Sequence, residues 1–491
     1  MFRIRLVAAS ALAALTTACA VGPDYHRADA TLPARFTGSA GEAPPAAELA
    51  TWWDGFGDPL LSRYVGLALQ QNLDLAQAAA RVEQARAGLG AANAALLPSS
   101  AVTGSAARAR QSVETPVGQL LNAQPGFNRW GNAYDANLAV SWEIDVFGGL
   151  RRNREAVLGD YETSRAAAVT IRLAVAAQTA DAYIAVRGLQ ARLEVARRQV
   201  QTRQDLLAKV TLLYDKGVAS ESQMRQTDGE LAQAQATVPV LQAGLDAALN
   251  ALDVMLGTSP GTHRAELESA STIPAVPRIA GMGSPADLLQ RRPDLIAAER
   301  RVAAANARIG VAISEYYPHF SLGALLGSVT TLSSGNLFKD GASQASAVLG
   351  LRWRLFDFGR IDAQIGQAKG QEAEALAAYR LAVLHATEDV ENAFSALINR
   401  REQANVLVRG EDALTRSRAS AFAAYRRGAG SLIDVLRADE TLLQTADARV
   451  QAQTELARAA VASYRALGGG WTPQAEPSVA AAHGERPVSS S

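Results

Sequence analysis

The sequence has 491 residues, 48% of them hydrophobic, with 48 basic against 48 acidic side chains. This length supports a large core, and the balance of charge removes the field that would gather nucleic acid. Cys19 is the only cysteine, which excludes an intramolecular disulfide and a thiolate metal cluster.

In chain order, residues 1–18 have the form of a bacterial export signal: Arg3 and Arg5, the apolar run Leu6–Leu15, then small residues before Cys19. A lone cysteine directly after a signal points to lipidation at Cys19, a palmitate-type anchor. The other reading is a plain cleavage site beside an incidental thiol, and Thr16 holds the place three residues before Cys19 where lipoprotein signals usually have Leu. Past the signal no run of 18 or more apolar residues occurs, so a membrane crossing must be made of strands. Residues 19–57, rich in Pro, Ala and Gly without a period, predict an extended anchored segment.

Two helix starts follow the same recipe. Asp58 with Pro59 gives an N-cap and a proline at the first helical position, and Ser284 with Pro285 and Asp287 repeats it. The repeat continues at an offset of 220, with Asp74-Leu75 matching Asp294-Leu295 and Pro98 matching Pro318. From Trp142 the offset is 211: Trp142 with Trp353, Tyr214 with Tyr425, Gly217 with Gly428, Asp228 with Asp439, Gly257 with Gly468. The lost nine residues place a longer first hairpin between Pro98 and Trp142. The predicted division is repeat 1 over 58–257 with a hairpin at 99–147, a linker over 258–283, repeat 2 over 284–470 with a hairpin at 319–358, and a disordered tail over 471–491.

The hairpin strands alternate. Leu138, Val140, Trp142, Ile144 and Val146 share one side, against Ala139, Ser141, Glu143 and Asp145. In the second copy Leu349, Leu351, Trp353 and Leu355 oppose Gly350, Arg352 and Arg354. Taken alone the pattern fits a barrel with a wet lumen or a half-buried soluble sheet. After each hairpin comes a helix of unusual length. From about Gly149 to Lys216 nothing stops it, which is on the order of 100 Å at about 1.5 Å per residue. Val186, Leu189, Leu193, Ala196, Val200, Leu207, Val210 and Tyr214 make a coiled-coil seam broken at Arg203. Met224, Leu231, Val238, Leu245 and Leu252 return at sevens past the turn YDKGVAS, with Pro239 expected to bend that helix. The second copy turns at YRRGAGS and returns through Val435, Leu442 and Leu456, with Arg449 as the exception. Four strands cannot close a barrel, so the barrel reading requires at least two chains, and three chains give twelve strands. On that reading Glu143, Asp145, Arg352 and Arg354 face the lumen.

The stretches CAVGPDY, TWWDGFGDPLL, RRPDLIAAERRVAAANARIGVAISEYYPHFSL and RLFDFGR, together spanning nearly the whole chain, resemble the TolC-type outer-membrane factor family and its branch of OprM- and NodT-like efflux lipoproteins. The resemblance implies a mainly α fold with a β-barrel, in which tandem repeats form coiled-coil hairpins and four strands per chain join a trimeric twelve-stranded transmembrane barrel. It implies an outer-membrane, lipid-anchored exit duct reaching into the periplasm. Its partners would be a homotrimer's other copies, a periplasmic membrane-fusion adaptor and an inner-membrane pump of the resistance-nodulation-division class. It also implies a periplasmic gate just past the second turn. Asp434 fits the family's first acidic position, whereas Arg437 stands where TolC has a second aspartate, which changes an anionic ring into a mixed one. Gln223 is the first-copy equivalent of Asp434, and Asp215 and Tyr425 are candidates for the bond that holds the coils shut. Gly217, Ser220, Gly428 and Ser431 fall at the tips, where the family docks its adaptor. The competing reading makes these residues ordinary turn and helix-surface chemistry.

Catalytic patterns are absent from the sequence. His26, His263, His319, His385 and His483 are scattered without ligand spacing, and no nucleophile elbow or phosphate-binding loop occurs. Pro293 and Asp294 in RRPD read as a helix restart, as do Asn72 and Asp74. No enzyme, cofactor or metal is expected. Two alternatives to efflux stand: a channel for type I protein secretion, and a non-conducting periplasmic scaffold.

Overall fold

The computed structural model describes residues 20–29, 33, 35–37, 45–268, 272–279, 281 and 283–472, and these divide into two compact units. Cys19, the signal and the tail from 473 lie outside the described residues. The helices are α1 (Ala46–Ala50), α2 (Pro59–Gln71), α3 (Leu73–Ala94), α4 (Pro116–Asn122), α5 (Gly149–Asp215), α6 (Glu221–Met255), α7 (Arg264–Leu267), α8 (Pro285–Arg291), α9 (Pro293–Ser314), α10 (Arg360–Arg426) and α11 (Leu432–Ala466). The strands are β1 (Ser99–Arg110), β2 (Trp130–Ile144), β3 (His319–Thr330) and β4 (Ser343–Arg352).

The first unit takes the described residues of 20–28, 83–163 and 298–378. Its four strands form one antiparallel sheet in chain order, with β1 and β4 as unpaired edges. The register aligns one apolar face: Val102 opposite Leu138, Leu138 opposite Leu326, Trp142 opposite Leu322, Leu322 opposite Leu349. Val102, Leu326, Leu349 and Leu351 are strongly exposed there, which a water-soluble monomer does not tolerate over a contiguous patch. At the helix-proximal end the repeat is literal. The Trp142 indole donates to the Leu96 carbonyl and the Trp353 indole to the Tyr316 carbonyl, both at 3.0 Å, each satisfying an orphan acceptor just beyond a helix end.

Within this unit runs the segment following the signal. Gly22 adopts φ +96°, and a Cβ there would come within 2.4 Å of the Gly310 Cα, so glycine meets glycine where the chain crosses α9. The buried Arg152 guanidinium binds the Val21 and Gly22 carbonyls at 3.1 and 3.3 Å, Asp24 at 2.7 Å and Glu155 at 2.8 Å. The hydrogen bond and charge of Arg152 hold the Asp24 carboxyl below its ordinary range. Tyr25 donates to Glu299 at 2.8 Å, so each residue of GPDY after the proline has a partner.

The second unit takes the described residues of 29–82, 164–297 and 379–472. Asp58 caps α2, accepting from the Leu60 and Leu61 amides at 2.9 and 3.2 Å, with Pro59 following as expected. Its other oxygen accepts the Tyr183 hydroxyl, which also receives the fully buried Arg187, and burial pushes the Tyr183 phenol up to about 12. Trp52 stacks on Tyr464 at 5.3 Å. One apolar window of α5 is long and greasy enough to cross a membrane, but half of it is already buried within the chain, as in a core helix. Helix α6 is continuous through Pro239.

Both exceptions in the coiled-coil seams have partners. Arg203 pairs with Glu230 of α6, and Arg449 pairs with Glu411 of α10. The long helix α5 also binds α11, an arrangement the heptads do not announce. Arg458 grips Asp181 at 2.7 and 3.0 Å, Arg192 grips Asp447 at 2.8 and 3.0 Å, and Arg203 reaches Glu440 at 4.0 Å. The α5 rungs recur every eleven residues, three helical turns, which keeps them on one face.

Candidate functional site

The polar face of the sheet is the first candidate. Glu143 and Arg352 lie on it, across β3 from one another at the helix-proximal end. Between them His319 meets Glu143 at 2.8 Å through Nδ1, while its Nε2 faces Glu315 at 3.7 Å, and Glu315 in turn binds Arg354 at 2.9 Å. Two expected lumen residues serve otherwise. β2 ends at Ile144, so Asp145 is past the strand, and its carboxylate caps α5 by accepting the Leu150 and Arg151 amides at 3.1 and 2.9 Å. A carboxylate beside four unpaired helix amides is drawn to them before it is drawn to water. Likewise β4 ends at Arg352, leaving Arg354 off the ladder and in its ion pair with Glu315. Val146, Trp353 and Leu355 also lie beyond the strands that alternation assigned them to.

Toward the hairpin end of the same face lies a polar chain that alternation alone does not reveal. Ser105 of β1 donates to Asp135 of β2, Asn137 donates to Asp135 at 2.9 Å, and Gln344 of β4 donates to Asn137 at 2.7 Å. The last bond crosses over β3. It does so at Gly327, where a Cβ would stand 2.4 Å from the Asn137 oxygen. The sequence signal was a glycine inside a strand opposite a polar residue.

The helical tips are the second candidate. Gly217 and Gly428 take φ of +69° and +72° two residues past the ends of α5 and α10. Their amides bond to the Tyr214 and Tyr425 carbonyls, and the next amides reach back to Leu213 and Ala424, closing both ends in the same left-handed cap. Ser220 and Ser431 then start α6 and α11 with capping boxes whose third members are Gln223 and Asp434. Asp434 accepts the Ser431 amide at 3.2 Å. Asp434 and Arg437 are exposed and form no ion pair with each other among the described residues, and no hydrogen bond joins Asp215 to Tyr425 there. In the single chain Ser220, Gln223, Ser431 and Asp434 thus act as helix caps. No group of three His, Cys, Asp or Glu among the described residues is placed to hold a metal.

An exposed apolar sheet face, a polar opposite face and two open edges define a strand set built for a membrane barrel shared between chains. The chain belongs to the outer membrane efflux protein family, whose sequence profile matches residues 64–258 and 285–469, once in each repeat. It is 33% identical to the pyoverdine export outer membrane protein OpmQ of Pseudomonas putida over 86% of this chain and 88% of that one. Nodulation protein T of Rhizobium leguminosarum bv. viciae is 29% identical over 95% of this chain and 93% of its own length. The structure of the outer-membrane channel OprN superposes with a TM-score of 0.83 at 33% identity, covering 92% of this chain and all of that one. The protein is therefore an efflux channel component of the outer membrane, with the helical-barrel-plus-strand fold that the duplicated motifs predicted.

Proposed function

We propose that three copies close their four-stranded sheets into one twelve-stranded barrel, and that the assembly is a passive exit duct for small molecules delivered by an inner-membrane pump of the resistance-nodulation-division class through a periplasmic adaptor. The observation that carries this reading is the sheet itself: two unpaired edges and an exposed apolar face on a chain of the efflux family. An open edge in hydrocarbon costs several kcal/mol per unpaired group, so closure through further copies is the low-energy outcome. The polar face then lines the lumen, with Glu143 and His319 low in the barrel, Arg352 beside them, and Asp135 near the exit. Cys19 carries the lipid anchor, one residue before Ala20, which abuts Gly148 at the junction of β2 and α5.

The tips Gly217, Ser220, Gly428 and Ser431 receive the adaptor, and Asp434, Arg437, Gln223, Asp215 and Tyr425 form the aperture when three copies converge. Solute passes by diffusion, since the sequence holds no phosphate-binding loop and the pump supplies the work. The test is the molar mass of the detergent-extracted complex by light scattering with the detergent subtracted. Three chains are expected. A monomer would leave the sheet edges open and return the protein to the non-conducting scaffold.

A further inference from the structure

The two ends of the apolar sheet face differ in chemistry. At the helix-proximal end Trp142 and Trp353 are tied by their indoles to backbone carbonyls, and no charge stands on that face. At the hairpin end β1 finishes in Arg108-Ala109-Arg110. The period of two puts both arginines on the face of Val102, and the register sets Arg108 opposite Asn132 and Arg110 opposite Trp130. The Arg108 guanidinium lies over the diagonal Trp130 ring at 5.4 Å, and Tyr134 follows on the same face. Both arginines are exposed, and neither has an acidic partner among the described residues. Glu114, the one acid of the connection 111–129, pairs with neither.

We propose that Arg108 and Arg110, framed by Trp130, are a contact for phosphorylated lipid headgroups at the rim of the barrel. The inference rests on the reading that the apolar face meets lipid. Arg108 is nine residues from Ser99 along β1, about 30 Å of strand, or about 23 Å of membrane depth at a tilt of about 40°. That depth matches an apolar band about 25 Å tall, so the guanidinium emerges where hydrocarbon gives way to headgroups. A charge on the lipid face is costly at mid-bilayer and tolerated at the interface, and aromatic rings prefer the same level. Two planar forks a strand-repeat apart suit the oxygens of a phosphate, whereas zwitterionic headgroups bring a cation that opposes them. The occupant is thus an anionic, phosphorylated lipid, and by position one from the leaflet remote from the helices.

The full-length complex in neutral detergent is titrated with a diphosphorylated glycolipid, with phosphatidylcholine of equal chain length, and with inorganic phosphate, reading bound lipid by native mass and the thermal midpoint. The phosphorylated lipid is expected to bind and to raise the midpoint. Arg108→Gln with Arg110→Gln is expected to weaken that binding tenfold or more, and phosphatidylcholine to do nothing. Equal binding by wild type and variant overturns the proposal. An equal shift from inorganic phosphate alone overturns the lipid in favour of a free anion. If the double variant does not assemble, wild-type binding is followed against salt: weakening as ionic strength rises is expected, and indifference to salt overturns the proposal. Wild-type conductance in planar bilayers separates this result from the barrel reading. Conducting channels without lipid preference remove the headgroup contact alone, and a protein that never conducts removes the barrel.

Discussion

In the first repeat the bend between α2 and α3 is closed by Asn72, and in the second the bend between α8 and α9 is closed by Arg292, 220 residues later. The Asn72 amide donates to the Met255 carbonyl at 2.8 Å and its oxygen accepts the Asp74 amide at 2.8 Å. The Arg292 guanidinium reaches the equivalent carbonyl, Ala466, at 3.4 Å, then Asp294 at 2.7 Å and Asp389 at 3.0 Å. Glycine follows each of these helix ends. A Cβ at Gly257 would stand 2.6 Å from the Gln71 carbonyl, and one at Gly468 would stand 3.2 Å from that of Arg291. Duplication has therefore kept the backbone task, joining the end of a returning helix to a restart, while the side chain that performs it has changed from neutral to charged. The tips diverge in the same way, with Gln223 neutral and Asp434 charged at the third position of their capping boxes.

The largest effect is expected at Arg292. Arg292→Ala removes the cation between two carboxylates and its bond to the Ala466 carbonyl, for an expected loss of about 2–4 kcal/mol. Asn72→Ala, which removes neutral bonds, is expected to cost about 1–2 kcal/mol. Thermal midpoints of the detergent-solubilised proteins order the two, and the reverse order would mean that the charged closure adds nothing over the neutral one.

The seam exceptions are expected to give effects of intermediate size. Glu230→Ala strands the mostly buried Arg203 with Glu440 at 4.0 Å as its nearest acid, and about 1–2 kcal/mol is expected. Arg203→Leu restores the heptad and is expected to stay within about 1 kcal/mol of wild type, because apolar packing replaces the pair. A large loss from Arg203→Leu would show that α11 depends on that rung.

The smallest effect on stability belongs to the tips. Asp434→Ala and Gln223→Ala each cost about 1 kcal/mol or less as cap substitutions. They part in conductance: Asp434→Ala is expected to raise the leak in planar bilayers and Gln223→Ala to raise it less. Unchanged conductance in Asp434→Ala leaves that residue a helix cap and removes it from the aperture.

Local chemistry made much of this legible in advance. The helix starts at Asp58 and Ser284, the long helices, the glycine turns and the amphipathic strands each depend on residues within one or two turns of one another, and the structure contains them all. The strand ends were misplaced because alternation ran on through Asp145 and Arg354, while the competing claim came from helix amides and from Glu315. Periodicity carries no information about such competitors. The Asp135–Asn137–Gln344 chain was missed for a related reason, since it depends on Gly327 opening a path across a third strand.

Sequence by itself determined the duplication, the two periods of 3.5 and 2, the family and hence the outer-membrane efflux role, because each is written in short-range spacing or in recurrence of the same letters. Tertiary structure alone decided the partners of Arg152, Arg203, Arg292, Arg449 and Arg458. An arginine in a heptad reads as a defect until the acid facing it is known. Arg458, outside the heptad, meets Asp181 from 277 residues away, and no local pattern specifies a contact made at that separation.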